Sequence, residues 1–300
     1  MRTKAAEQSA EELETLVKRV VSEIRQISAG PALPGHARVT INFHADWVTQ
    51  EQMVIEHLAR EGIYRSQFET GTSNGGLTAF PGGDRWLWES RIFGQAYDDA
   101  PGAFRPKYGA LNHRGWPCGG SPRFGSAHLR LKPHILARTT FCFPDSYLNP
   151  VDFGVADRMG LLSKVDKEDA LDLLDTYVEA HVHGLIEISS DVEALVLDPS
   201  HRGTTVEHLA STLACPVEWH AGFRMPASKI PDCVPYRGPE VAQVAAFLAA
   251  DGILTPCKIG LAQQAGLAPP MVLKRVWHCL AKFGFRTLDG HHTRPAPRAS

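Results

Sequence analysis

Val178-Glu179-Ala180-His181-Val182-His183 alternates apolar and polar side chains over six residues. That is the period of a half-buried strand, here one that opens on Glu179 and carries His181 and His183. Val192-Glu193-Ala194-Leu195-Val196-Leu197 predicts a second strand, ended by Asp198-Pro199-Ser200. Residues 37–44 alternate in the same way, and residues 64–68, 107–111, 124–131 and 139–143 read as further strands. Helical spacing interrupts this block and dominates both ends of the chain. Leu13, Leu16, Val17, Val20, Val21, Ile24 and Ile27 predict a helix over 7–27, ended at Gly30-Pro31. Thr49 caps an expected helix to Glu61, with Gly62 as its stop. Residues 85–93, 164–178, 238–250 and 269–283 are also expected to be helical. Strands in the middle and helices at the ends argue for an α+β fold rather than alternating βαβ units.

Composition narrows the function classes. The chain of 300 residues is 43% hydrophobic and 21% charged, an ordinary globular balance. Its net charge of -2 gives no general reason to expect nucleic acid or an anionic membrane. No apolar run approaches the ~20 residues of a membrane span. No apolar core follows the basic residues near Met1, and the six cysteines form no CxxC pair. The expected location is therefore the cytoplasm. No Walker loop and no dinucleotide GxGxxG follows a strand.

Phe68-Glu69-Thr70-Gly71-Thr72-Ser73-Asn74-Gly75-Gly76-Leu77 follows neither period. It reads either as a surface turn or as a loop offering N–H groups and hydroxyls to a polar ligand. Arg105-Pro106-Lys107-Tyr108-Gly109 and Arg123-Phe124-Gly125-Ser126 are companion loops, where arginine suits pyrophosphate and tyrosine suits a planar ring. Glu179 is the first catalytic candidate, since a carboxylate at a strand start can stabilise a cationic transition state. His44 and Asp46 end the first strand on one face, where Asp46 can position or deprotonate a nucleophile. With His181 and His183 they also compose a possible metal set for a hydrolase. Cys118 lacks a fixed basic partner and is a weak nucleophile candidate.

Val39-Thr40-Ile41-Asn42-Phe43-His44, Glu69 to Leu77, Arg105 to Leu111, Gly120 to Ser126, Glu179 to Gly184 and Asp191 to Pro199 together resemble the signature blocks of a bacterial family of uncharacterised domains. That family is similar to the mono-ADP-ribosyltransferases, including effectors that modify a threonine of host ubiquitin. The resemblance implies two small antiparallel sheets gripping NAD in a cleft. It implies an acidic catalytic pair, assigned to Glu179 and Asp46. NAD contacts fall to His44, Thr70, Gly71, Ser73, Asn74, Gly75, Tyr108, Arg123 and Ser126, with no metal. A protein acceptor such as ubiquitin is the implied partner, and a host cell entered without a signal peptide is the implied alternative to the cytoplasm. Glu179-Ala180-His181 departs from the Glu-x-Glu or Gln-x-Glu of many transferases.

The expected organisation is an N-terminal helix over 1–30, a catalytic domain over 31–225, a helical appendage over 226–290 and a disordered tail over 291–300. Residues 258–283 have the cadence of a helix-turn-helix, with Lys274, Arg275 and Lys282 available to phosphates. A trihelical cap on the main body has the same pattern, and a non-enzymatic interaction module is the remaining alternative.

Overall fold

The computed structural model describes residues 4–71 and 78–285. Its centre is one eight-stranded sheet. The strands in chain order are β1 (Val39–Phe43), β2 (Lys107–Leu111), β3 (Ala127–Leu131), β4 (Thr139–Phe143), β5 (Asp152–Val155), β6 (Val178–Val182), β7 (Val192–Leu197) and β8 (Val217–Trp219). Their spatial order is β8-β7-β3-β1-β2-β6-β4-β5. All neighbours are antiparallel except β8 and β7. Two small sheets were expected; one large sheet forms instead, because β1 pairs with β3 on one side and β2 on the other and joins the two halves. Two-stranded ribbons, Val48–Thr49 with Gln52–Met53 and Met225–Pro226 with Ile253–Leu254, stand apart.

Alternation gives the sheet two different faces. Val39, Ile41, Phe43, Leu129, Leu131, Phe141, Val178, Ala180, Val182 and Leu195 join one apolar core with helix α2 (Val54–Glu61). Residues one step along those strands, among them Thr40, Asn42, Tyr108, Thr140, Cys142, Glu179, His181 and His183, share the opposite face. Helix α1 (Lys4–Ile27) and helix α3 (Asp84–Ile92) cover part of that face, packing Val20, Ile24 and Trp88 with Phe93, Tyr97 and Cys142.

Helices α4 (Pro239–Leu248), α5 (Pro256–Gln264) and α6 (Pro270–Phe283) form a third core that includes Cys118, Leu174 and Phe223 of the body. Trp277 of α6 is fully buried, and its indole N–H donates to the carbonyls of Pro122 and Arg123 at 3.1 and 2.9 Å. Gln263 exchanges two hydrogen bonds with the backbone of Val48. These bonds tie the C-terminal helices to the ends of β1 and the 118–125 loop. A helix-turn-helix would need Lys274, Arg275 and Lys282 facing outward together. Lys282 instead pairs with Asp172, and the other two face inward toward a cleft.

Several local expectations change. Thr49 caps no helix: Gln50 and Glu51 take positive φ in a tight ribbon turn, and α2 starts at Val54, where Glu56 accepts the Met53 N–H at 2.6 Å. Gly62 does end α2, with φ 67 and its N–H on the Leu58 carbonyl. Residues 64–68 form no strand, because Ser66 and Glu69 make a capping box for the helical turn Gln67–Thr70. The long helix expected over 164–178 shrinks to Leu161–Val165. There Glu168 accepts the N–H groups of Ala170 and Leu171, and Asp172 accepts that of Leu174, so acidic side chains take donors a helix would need. The strand expected from Phe124 begins at Ala127. The tail expected over 291–300 lies outside the described residues.

Candidate active site

Glu179 is the second residue of β6, opposite Ala110 of β2 and Cys142 of β4. It is 5% exposed. Its Oε2 accepts the Ser146 hydroxyl at 3.0 Å, and its Oε1 lies 3.1 Å from Nε2 of His181. Arg85 of α3 donates to Ser146 Oγ at 2.6 Å and stands 4.0 Å from Oε1. The guanidinium is also stacked 3.8 Å over the Tyr108 ring. Burial alone would raise the Glu179 carboxyl. The His181 hydrogen bond, the Arg85 charge and the Ser146 bond outweigh it and hold the group below the usual glutamate range.

Behind this carboxylate runs a buried chain of hydrogen bonds. Tyr97 Oη lies 2.7 Å from His183 Nδ1, and His183 Nε2 lies 2.9 Å from Thr140 Oγ1. Thr140 Oγ1 lies 3.0 Å from His181 Nδ1, and His181 Nε2 meets Glu179. Tyr97, His183, Thr140 and His181 are fully buried. An ionised carboxylate can only accept, which sets the direction of every other bond. His181 must donate from Nε2, so its Nδ1 accepts from Thr140. Thr140 then accepts from His183 Nε2–H, and His183 Nδ1 accepts from Tyr97. Burial holds both imidazoles below the usual histidine range, so each stays neutral as this pattern requires.

Glu179 opens onto a cleft of about 670 Å³, the size of many cofactor pockets. Tyr108, Arg123 and Thr70 also line it, so four sequence candidates come together there. Two of them are already engaged. The Tyr108 hydroxyl donates to Glu89 Oε1 at 2.7 Å while Arg85 covers its ring. Arg123 forms an ion pair with Asp175. Gly71 ends the helical turn beside Thr70, with φ 63. Ser73, Asn74 and Gly75 lie outside the described residues. Ser126 is fully buried and away from the lining, with its carbonyl accepting from His220 Nε2 at 2.7 Å.

His44 and Asp46 are not in the lining. Past the end of β1 the chain turns under the C-terminal helices. His44 stacks on Trp47 with ring centroids 4.1 Å apart and meets the edge of Trp277. Asp46 is 4% exposed, 3.9 Å from His201 Nδ1, and sits against Gly260 of α5. A Cβ at Gly260 would lie 1.7 Å from Asp46 Oδ2, so only glycine accommodates that carboxylate. Asp145, two residues past β4, is an acid of the same lining, close enough for the Glu179 charge to act on it. Its Oδ2 accepts the Tyr177 hydroxyl at 2.5 Å, while its Oδ1 is buried without a partner among the described residues. Burial and then the Glu179 charge raise the Asp145 carboxyl above the usual aspartate range.

The proposed hydrolase metal set does not converge. His181 and His183 have both ring nitrogens in the hydrogen-bonded chain, while His44 and Asp46 lie beneath the C-terminal helices. Among the described residues, Cys142, Glu179 and His181 are the group with ligand-like spacing. The Arg85 guanidinium beside Glu179 opposes a second cation there, and burial raises the Cys142 thiol far above its usual range, keeping it protonated. Cys118 is fully buried with its thiol raised in the same way, which removes it as a nucleophile.

Arg85, Asp145 and Ser146 were not singled out in the sequence. Arg85 is one charged residue on a short helix, and the other two sit in an irregular turn. Asn42 was also missed: it donates to the carbonyls of Cys118 and Gly125 and accepts the Ser121 N–H at 3.3 Å, holding the loop that carries Arg123. Its position at the polar end of β1 is the one available signal.

The arrangement defines an α+β protein with a buried carboxylate opening into a basic cleft. The chain belongs to the family described as Protein of unknown function (DUF3626), whose model matches residues 38–162 and 156–278. No curated protein matches the chain. Among the described residues, no helix is long and apolar enough to cross a membrane.

Proposed function

We propose that the cleft binds NAD and that the protein is a mono-ADP-ribosyltransferase, moving ADP-ribose to a hydroxyl-bearing acceptor on a protein. The observation that carries this reading is Glu179, an ionised carboxylate held by His181, Ser146 and Arg85 at the inner end of the cleft. As the ribose C1′–N bond breaks, its electron pair leaves with nicotinamide and positive charge grows on the ribose. Glu179 faces that charge where little water competes, and such preorganised groups contribute ~10²–10³ in rate. The acceptor oxygen attacks C1′ and its proton passes to Asp145, whose free Oδ1 and raised basicity suit a general base. Asp145 takes the role expected of Asp46, which lies outside the cleft. The resemblance in sequence names ubiquitin threonine as the acceptor to try first.

The test is incubation with labelled NAD, with and without ubiquitin or cell lysate, comparing the wild type with Glu179→Gln and Asp145→Asn. Glu179→Gln is expected to lose nicotinamide release. Asp145→Asn is expected to lose transfer more than release. A folded Glu179→Gln protein with wild-type release refutes the assignment.

A further inference from the structure

Helix α6 presents Met271, Lys274, Arg275 and His278 to the cleft at helical spacing. Arg123 of the 118–125 loop and Arg237 line the cleft as well. Among the described lining residues, seven lysines and arginines face four aspartates and glutamates. Two of those acids, Asp145 and Glu179, belong to the catalytic end. Glu61 pairs with Arg60 and Arg65, and Asp175 with Arg123. The lining as a whole therefore holds more basic than acidic side chains, and two of the basic ones stand on α6.

His278 marks where that surplus points. It is 4% exposed, lines the cleft, and has both ring nitrogens without a partner among the described residues. Nε of Arg237 is likewise buried and unpartnered. Buried imidazole nitrogens ordinarily find partners, because an orphan forfeits its hydration. Burial, then Arg123, Arg237 and Lys274, lower the His278 basicity, so several cations crowd one ring. An anion with several acceptor oxygens would relieve the crowding and the missing bonds at once.

We infer that Lys274, Arg275 and His278 of α6, with Arg123 and Arg237, form a subsite for the diphosphate of a nucleoside diphosphate. In a dinucleotide this places the pyrophosphate on the C-terminal helices and the glycosidic bond at Glu179. Only the identification of the diphosphate as that of NAD rests on the proposed function; the anion site itself does not.

Calorimetric titration of the full chain with ADP, inorganic pyrophosphate and adenosine tests it. ADP is expected to bind, weakening as salt is raised, and adenosine to bind at least ~10-fold more weakly than ADP. Arg275→Ala and Lys274→Gln are each expected to weaken ADP by ~10-fold, the usual worth of one charge-assisted bond. Arg275 is exposed, so its replacement leaves the core alone. ADP binding that is absent, unchanged in both variants, or matched by adenosine overturns the subsite. Glu179→Gln with intact nicotinamide release, alongside weakened ADP binding in the α6 variants, would refute the transferase reading and leave the subsite standing.

Discussion

Thr140→Val puts the hydrogen-bonded chain behind Glu179 to a direct test. Valine has nearly the shape of threonine, so packing in β4 changes little, but the hydroxyl that joins His181 Nδ1 to His183 Nε2 is gone. One imidazole acceptor and one imidazole donor are then buried without partners. Each orphan costs about 1–3 kcal/mol, so the loss from the two should be about 2–6 kcal/mol, read from urea unfolding at pH 7. Without Thr140, His181 is also free to carry its proton on Nδ1, and Glu179 then loses the donor on Oε1. The Glu179 carboxyl is held low in the folded state. Its stabilising share is present above the unfolded pKa and is lost as pH falls through the folded one. Weakening the His181 bond raises the folded value, so the acid limb of both stability and nicotinamide release should move to higher pH. Thr140→Ser keeps the hydroxyl and should restore most of both. A Thr140→Val protein within about 0.5 kcal/mol of wild type, with an unmoved acid limb, would show that these side chains are not coupled as described.

Asp46 gives a pH effect of the opposite sign. Burial lifts its carboxyl to about 7, so its favourable share is full below the unfolded pKa and disappears as pH rises through about 7. Asp46→Asn should remove that decline in urea unfolding between about pH 4 and about pH 7, and nicotinamide release should persist because Asp46 does not line the cleft. Gly260→Ala drives a methyl into Asp46 Oδ2 and should cost about 1–3 kcal/mol; combined with Asp46→Ala the loss should shrink, and simple additivity in the double-mutant cycle would refute the contact. Arg85→Gln removes the cation beside Glu179 and should lower nicotinamide release at neutral pH while raising its acid limb; an unchanged pH profile would exclude a role for Arg85 in keeping Glu179 ionised.

Much of the sheet could be read from period alone. Alternation over 37–44, 107–111, 139–143, 178–183 and 192–197 marks strands that do form, because one face of each meets an apolar core. Glu179 could be picked out because it opens such a strand beside irregular loops. Its supporting residues could not. Arg85 and Ser146 reach it from positions 94 and 33 residues away in the chain, and only the tertiary arrangement supplies that information. Asp46 misled for a related reason. Alternation predicts the face of a strand, but the chain turns at Ala45 and the side chain passes under α5, whose Gly260 is the sole local trace of the contact. Lys274 and Arg275 of α6 read in the sequence as phosphate contacts of a helix-turn-helix or as part of a trihelical cap, and the docking of Trp277 sets them toward the cleft.

That docking has a consequence for how the molecule is made. The carboxylate, its hydrogen-bonded support and the loop bearing Arg123 are all encoded by residue 183, whereas a facing wall is supplied by residues 237–278. During synthesis the ribosome therefore releases the carboxylate and its support before the segment that completes the cavity. The cleft can be completed only after residue 278 has emerged.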